Sequence, residues 1–175
     1  VEIDAYDKTR MAKKRTALGR FAHESAAFGK AVVGQPLSIY MGDDSRGEYI
    51  YKFVTTAVWS AADANPTDRM AVGDKYLDSG KLYAAKFNAD GTGNWIALVH
   101  GRGPLTAANG FADQGAVLIK SRQASDLLGA TKMDRPEWLA IDQATRQVYC
   151  TLTNNSSRGA KDMPAMMNAR PGSGV

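Results

Sequence analysis

Apolar and polar positions alternate along most of the chain in short runs broken by Gly, Asn and Asp, which is a β pattern. Leu37 to Met41 (LSIYM) is an almost continuous apolar run that stops at Gly42-Asp43-Asp44. Glu48 to Thr55 (EYIYKFVT) follows the turn Ser45-Arg46-Gly47, so these two runs form a predicted hairpin. Lys81 to Phe87 (KLYAAKF), the turn Asn88 to Gly93 and Asn94 to Val99 (NWIALV) form a second. Trp138 to Asp142 (WLAID), the turn Gln143 to Gln147 and Val148 to Thr153 (VYCTLT) form a third. One segment departs from this period: Val117, Leu118, Ser121, Ser125 and Leu128 recur at helical spacing, with Gly129 placed to end the helix. A single helix is expected within Gln114 to Leu128. Ala57 to Lys75 and Gly101 to Gly110 show no clear period and read as long loops.

The expected fold class is mainly β, with antiparallel blades of a partial β-propeller and one helix; an irregular β-sandwich is the alternative. A propeller is built from about four to eight four-stranded blades. These strands suffice for two or three, so the ring would be incomplete, with exposed sheet edges.

Composition adds limits. At 175 residues, 44% hydrophobic and 23% charged, the chain can bury one core and is neither a low-complexity polymer nor a disordered tail. No apolar run approaches the roughly 18 residues of a membrane span. The start at Val1 reads as that of a truncated or processed protein. A net charge of +4 is concentrated in Lys8, Arg10, Lys13, Lys14, Arg15 and Arg20. Such a run can meet phosphates or acidic lipid, or simply be a solvated loop; without a recognition helix or interleaved aromatics, nucleic acid is not the expected partner. A lone Cys150 forbids an internal disulfide, and His23 and His100 lie too far apart for the usual zinc spacing. Any metal would be held largely by oxygen.

Four motifs carry oxygen-bearing side chains at strand ends. Arg20-Phe21-Ala22-His23-Glu24 ends an expected apolar strand (Ala17, Leu18, Phe21) with an imidazole beside a carboxylate; a surface turn is the plain alternative. Gly42-Asp43-Asp44 puts two carboxylates after a buried run, though Asp is ordinary in turns. In Met133-Asp134-Arg135-Pro136-Glu137-Trp138, proline is expected to hold Arg135 extended and to present Asp134, Arg135 and Glu137 in set directions. Thr151 to Ser156 ends a strand in Asn154 and Asn155, otherwise a common turn pair. At one mouth of a propeller, such a set would suit a hard cation such as Ca²⁺, which takes six to eight oxygens at about 2.3 to 2.6 Å. Arg135 would offer a fork matched to phosphate.

The stretches KRTALGRFAHES, YMGDDSRGEYIYKFV, GKLYAAKFNADGTGNW and GATKMDRPEWLAID, followed by VYCTLTNNSSRG, resemble the PhoX family of secreted alkaline phosphatases in order and spacing from Val1 to about Gly159. The resemblance implies a β-propeller enzyme that hydrolyses phosphate monoesters, uses calcium with iron, and is exported to the periplasm or beyond by the twin-arginine route. It places Glu24, Asp43 and Glu137 at metal-binding carboxylates and Arg135 at a phosphate-contacting arginine. His23, Asp44, Asp134, Asn154 and Asn155 fall nearby, as expected substrate or supporting groups. Family members are several times longer and bring further ligands, including a cysteine, from other segments. Cys150 lies mid-strand and reads as core.

Residues 1–159 are thus expected to be part of a propeller domain completed by missing segments, and 160–175 a poorly defined tail. The expected mechanism has cations binding phosphate oxygens, Arg135 neutralising developing charge, and a metal-bound oxygen or water attacking in line. A calcium-dependent propeller lactonase and a non-catalytic fragment or binding module remain alternatives.

Overall fold

The computed structural model describes residues 1–156; the expected tail over 160–175 lies outside them. Strand alternation builds its central layer. In β2 (Pro36–Gly42) the side chains of Leu37, Ile39 and Met41 are buried and Ser38 and Tyr40 are half-buried on the other side. β4 (Ile50–Val58) adds Tyr51, Phe53 and Thr55 to the buried face, and β5 (Gly80–Phe87) adds Leu82 and Ala84. Full burial of one such large apolar side chain is worth roughly 1.5–3 kcal/mol. With β1 (Ala27–Phe28) and β6 (Gly93–Ala97) these strands form one antiparallel sheet in the order β1-β2-β4-β5-β6.

The first two expected hairpins therefore do not lie in neighbouring blades. β4 pairs directly with β5, Tyr51 facing Ala84 and Phe53 facing Leu82. The reversal is made by the stretch read as a loop, which contains α1 (Arg69–Leu77), capped by Asp68 accepting from the Ala71 N–H at 3.1 Å. Met70 and Tyr76 are its only large buried side chains, too sparse for a period to show.

Ser45-Arg46-Gly47, read as a turn, in fact enters a short strand. β3 (Arg46–Glu48) pairs with β7 (Met133–Asp134) in a second sheet, while β8 (Pro136–Ile141) and β9 (Val148–Leu152) form the third hairpin as expected. Ala17, Leu18 and Phe21 do not make a strand either, since Thr16–Leu18 is a 3₁₀ turn. The fold is mainly β and antiparallel with few helices.

The expected single helix is two, α2 (Gln114–Ile119) and α3 (Ser121–Leu128). The break coincides with a contact from far along the chain: the Leu118 carbonyl accepts from the Arg20 N–H at 2.9 Å and Lys120 leaves helical geometry at φ −103°, ψ 35°. Asp113 caps the start through the Ala116 N–H at 2.7 Å, and Gly129 ends α3 in the left-handed region, as expected. Val117 and Ala124 from these helices join Leu98, Leu105 and Phe111 over the buried face of the sheet. Across the sheet, Ile50 and Ala85 pack with Met133 and Leu139, the half-buried Cys150 lying against this second cluster. Burial pushes the Cys150 thiol up to about 11.

Three of the six basic residues near the start are paired internally. Buried Arg15 binds Glu2, Asp74 and Asp78, Lys13 reaches Asp74 at 2.6 Å, and Arg10 reaches Asp68 at 3.1 Å. These contacts fasten the first fifteen residues to α1, at the end of the sheet remote from Gly42.

Candidate functional site

The carboxylate-bearing end of β2 is where the four motifs meet. Gly42 pairs with Ile50, and a Cβ there would collide with the carbonyls of Pro136 and Glu137, so only glycine lets the two backbones approach. On its other side the Gly42 carbonyl accepts from the Glu24 N–H at 3.3 Å, and the Asp44 N–H donates to the Ala22 carbonyl at 3.0 Å. Ser25 Oγ accepts from the Leu139 N–H at 3.0 Å. Backbone contacts thus bring the His23-Glu24 turn, the Gly42-Asp43-Asp44 corner and the Arg135-Pro136-Glu137 segment together, although long stretches of chain separate them.

Asp43 is fully buried. Its Oδ1 accepts from Arg122 Nη2 at 2.6 Å and from the Ala22 N–H at 3.1 Å, and its Oδ2 accepts from Arg122 Nε at 2.8 Å. Arg122 also donates to Ser45 Oγ at 2.9 Å. Beside this pair, Glu48 Oε2 is buried without a hydrogen bond, 3.6 Å from Arg122 Nε. Desolvation pushes the Glu48 carboxyl up to about 7, with Arg122 opposing the shift and the charges of Asp43 and Asp126 adding to it.

Arg135 forms the second cationic centre. Its Nε lies 2.9 Å from Asp44 Oδ1, its Nη2 donates to Asp44 Oδ2 at 3.1 Å, and the same Nη2 is 3.3 Å from Glu137 Oε1. The expected extended backbone is not found: φ at Arg135 is +47°. The left-handed residue sits where the chain passes from β7, paired with β3, to β8, paired with β9. Such a conformation costs a non-glycine residue about 1–3 kcal/mol. The Thr153 N–H braces it, donating to the carbonyls of Asp134 at 3.0 Å and Arg135 at 3.4 Å. Thr153 Oγ1 donates to Glu137 Oε1 at 2.7 Å, and Asn155 Nδ2 donates to Asp134 Oδ1 at 2.9 Å. The Thr-Asn-Asn segment therefore orients the acidic groups beside Arg135. Asn154 is exposed next to it.

Glu24 is exposed. His23 contacts the Gly19 carbonyl through Nε2 at 3.0 Å and stacks on Phe21 at 3.7 Å between centroids, Phe21 stacking in turn on Tyr51 at 4.2 Å. Desolvation lowers the His23 pKa, with the Gly19 carbonyl opposing the shift.

Carboxylates and carboxamides give the hard-oxygen chemistry that calcium takes, but the geometry stops short of a metal centre. Among the described residues no group of three or more His, Cys, Asp or Glu side chains is placed to hold a metal ion. Asp43 is engaged by Arg122, and Asp44 and Glu137 by Arg135. Arg122 was not foreseen from the sequence: it sits 79 residues from Asp43 on a helix, with no local pattern to announce its reach.

No curated protein matches the chain. A solved structure, that of Pseudomonas fluorescens PhoX in complex with vanadate, a transition state analogue, matches with a TM-score of 0.81 and 45% sequence identity, over 93% of this chain and 28% of that one. The chain thus spans less than a third of the length of the solved relative it matches. The profile of the alkaline phosphatase PhoX family matches residues 1–174, which include every motif gathered around Gly42. With the family profile spanning nearly the whole chain and a PhoX structure superposing on it at this identity, the chain belongs to the alkaline phosphatase PhoX family.

Proposed function

We propose that the protein carrying this chain is a metal-dependent phosphatase that hydrolyses phosphate monoesters, and that the chain supplies one part of its active site. The observation that carries the reading is Arg135: a guanidinium on a left-handed backbone, held by Asp44 and Glu137 where the four motifs meet. These pairs use its Nε and Nη2 and leave the two N–H donors of Nη1 for phosphoryl oxygens, and positioned positive charge is what phosphoryl transfer asks of the protein. Water adds to phosphorus, the P–O ester bond breaks, and the alcohol leaves. Arg135 neutralises charge on the phosphoryl oxygens, while Thr153 and Asn155 hold Glu137 and Asp134 in place beside it.

Glu24, Asp43 and Glu137 are the proposed metal-facing carboxylates, with His23, Asp44, Asp134, Asn154 and Asn155 around them. Calcium and iron are the proposed cofactors, as the family resemblance implies. The described residues do not complete a site for either, so further ligands come from outside them, and no step is drawn through a metal. We place residues 1–159 in part of a β-propeller domain completed by other segments of the full-length protein, which is exported to the periplasm or secreted. No helix among the described residues is long and apolar enough to cross a membrane.

The test is turnover of p-nitrophenyl phosphate, against a lactone as control, by the full-length protein carrying this segment. Arg135→Ala is expected to lower phosphate-ester turnover by about a hundredfold to a thousandfold while metal content stays near the wild-type value. Hydrolysis of the lactone alone would refute the reading, and equal loss of metal and turnover would make Arg135 a structural residue.

A further inference from the structure

Asp43 poses a problem of charge. It is fully buried, is read as facing a cation, and yet already shares both oxygens with one guanidinium. An ionised carboxylate cannot be buried alone without a cost of several kcal/mol. Arg122 comes from α3, outside all four sequence motifs, and the helix is packed down on either side of it: Ser121 Oγ donates to the Arg20 carbonyl at 3.1 Å, Ser125 Oγ lies 3.3 Å from the Tyr51 hydroxyl, and Ala124 is buried. The guanidinium then contacts three separate points of the corner after β2, namely both oxygens of Asp43 and the hydroxyl of Ser45. Glu48 Oε2 lies 3.6 Å away.

A count of acceptor positions is informative. A carboxylate offers about four lone-pair directions. Oδ1 of Asp43 uses both of its own, on Arg122 and the Ala22 N–H, and Oδ2 uses one, on Arg122. One direction on Oδ2 remains. Asp43 therefore keeps one acceptor direction with Arg122 in place, and its orientation is set by that guanidinium.

We propose that Arg122 is a positioning residue of this site: it holds Asp43 in its buried pose and supplies the positive charge that the carboxylate needs when no metal is bound. The inference rests on reading Asp43 as a cation-facing carboxylate.

The experiment is a double-mutant cycle in the full-length protein carrying this segment, with wild type, Arg122→Gln, Asp43→Asn and the double variant melted in chelator and in excess calcium. In chelator, Arg122→Gln is expected to lower the midpoint by about 3 °C or more, because it strands a buried charge. On the Asp43→Asn background the same change is expected to cost much less, since no charge is left to strand. Calcium is expected to restore part of the loss in Arg122→Gln and none in the double variant. Should Arg122→Gln fail to fold, Arg122→Lys, which keeps the charge and loses the fork, completes the same cycle with a smaller fall. Equal losses on both backgrounds, or a calcium response indifferent to Asp43, overturn the proposal. Because every readout is a melting midpoint, it can fail while p-nitrophenyl phosphate is still hydrolysed; conversely, an inactive wild type refutes the phosphatase reading and leaves the cycle interpretable.

Discussion

Replacing Glu48 with glutamine isolates one buried charge and predicts a stability change whose sign depends on pH. Glu48 Oε2 is buried without a hydrogen bond and the side chain is 21% exposed. Its carboxyl is raised from 4.5 to about 7, chiefly by desolvation. Between these values the folded chain holds a proton that the unfolded chain has lost, so stability is greatest below about pH 4.5 and falls as pH rises toward 7. Above that range the whole loss has been incurred. A shift of about 2.5 units at about 1.36 kcal/mol each sets a ceiling near 3 kcal/mol, and partial exposure to solvent reduces it to about 2 kcal/mol. A glutamine at this position has no charge to bury, so the Glu48→Gln variant is expected to be more stable than wild type by about that amount at about pH 8. For a chain of this size the gain is a rise in melting midpoint of about 4–8 °C. Near pH 4, where Glu48 is protonated in both states, the two proteins should melt together. Thermal unfolding followed by circular dichroism in chelator at both pH values is the assay. A constant difference at the two pH values, or a variant less stable than wild type near pH 8, would refute the reasoning and show that Glu48 is stabilised as an ion by Arg122.

Two further outcomes follow from other parts of the structure. Gly42→Ala should destabilise the chain by about 1–3 kcal/mol, measured by denaturant unfolding, because the added methyl meets the carbonyls of Pro136 and Glu137; a neutral result would mean that the two segments are free to separate. Native Cys150 should react with a thiol reagent near pH 8 roughly a hundredfold more slowly than in the unfolded chain, since a thiol raised from 9.0 to about 11 yields that much less thiolate. Equal rates would show that β9 opens readily from β8.

The parts of the fold that were legible in the sequence are those whose signal is local. Alternation along β2, β4 and β5, the apolar run that contains β6 and the Trp138 to Thr153 hairpin can be read without knowing what each strand packs on, and Gly129 marks its helix end through its own conformational freedom. What could not be read depends on partners far along the chain. Arg46 to Glu48 looks like a turn until Met133 and Asp134 arrive to pair with it. Arg20 meets the helix at its break from about a hundred residues away. Arg135 departs from the local rule for a residue before proline where the chain changes sheets. At the site, the motif residues could be named because they resemble a family. Arg122 could not, since a guanidinium on an exposed-looking helical position shows no destination.

The exposed and the buried ion pairs answer differently to ionic strength. At the α1 end, Lys13 to Asp74 and Arg10 to Asp68 are pairs exposed on both sides, whereas Arg15, buried, holds Glu2, Asp74 and Asp78 from within. Mobile ions weaken exposed pairs over a Debye length of about 8 Å in physiological salt and about 3 Å at 1 M. At the Gly42 end, Asp43 is shut away from solvent and its attraction to Arg122 is screened much less. Brine would therefore slacken the outer Lys13 and Arg10 pairs well before it reached Arg15 or the Asp43 corner, so the surroundings could fray the molecule's margin while both buried clasps stayed shut.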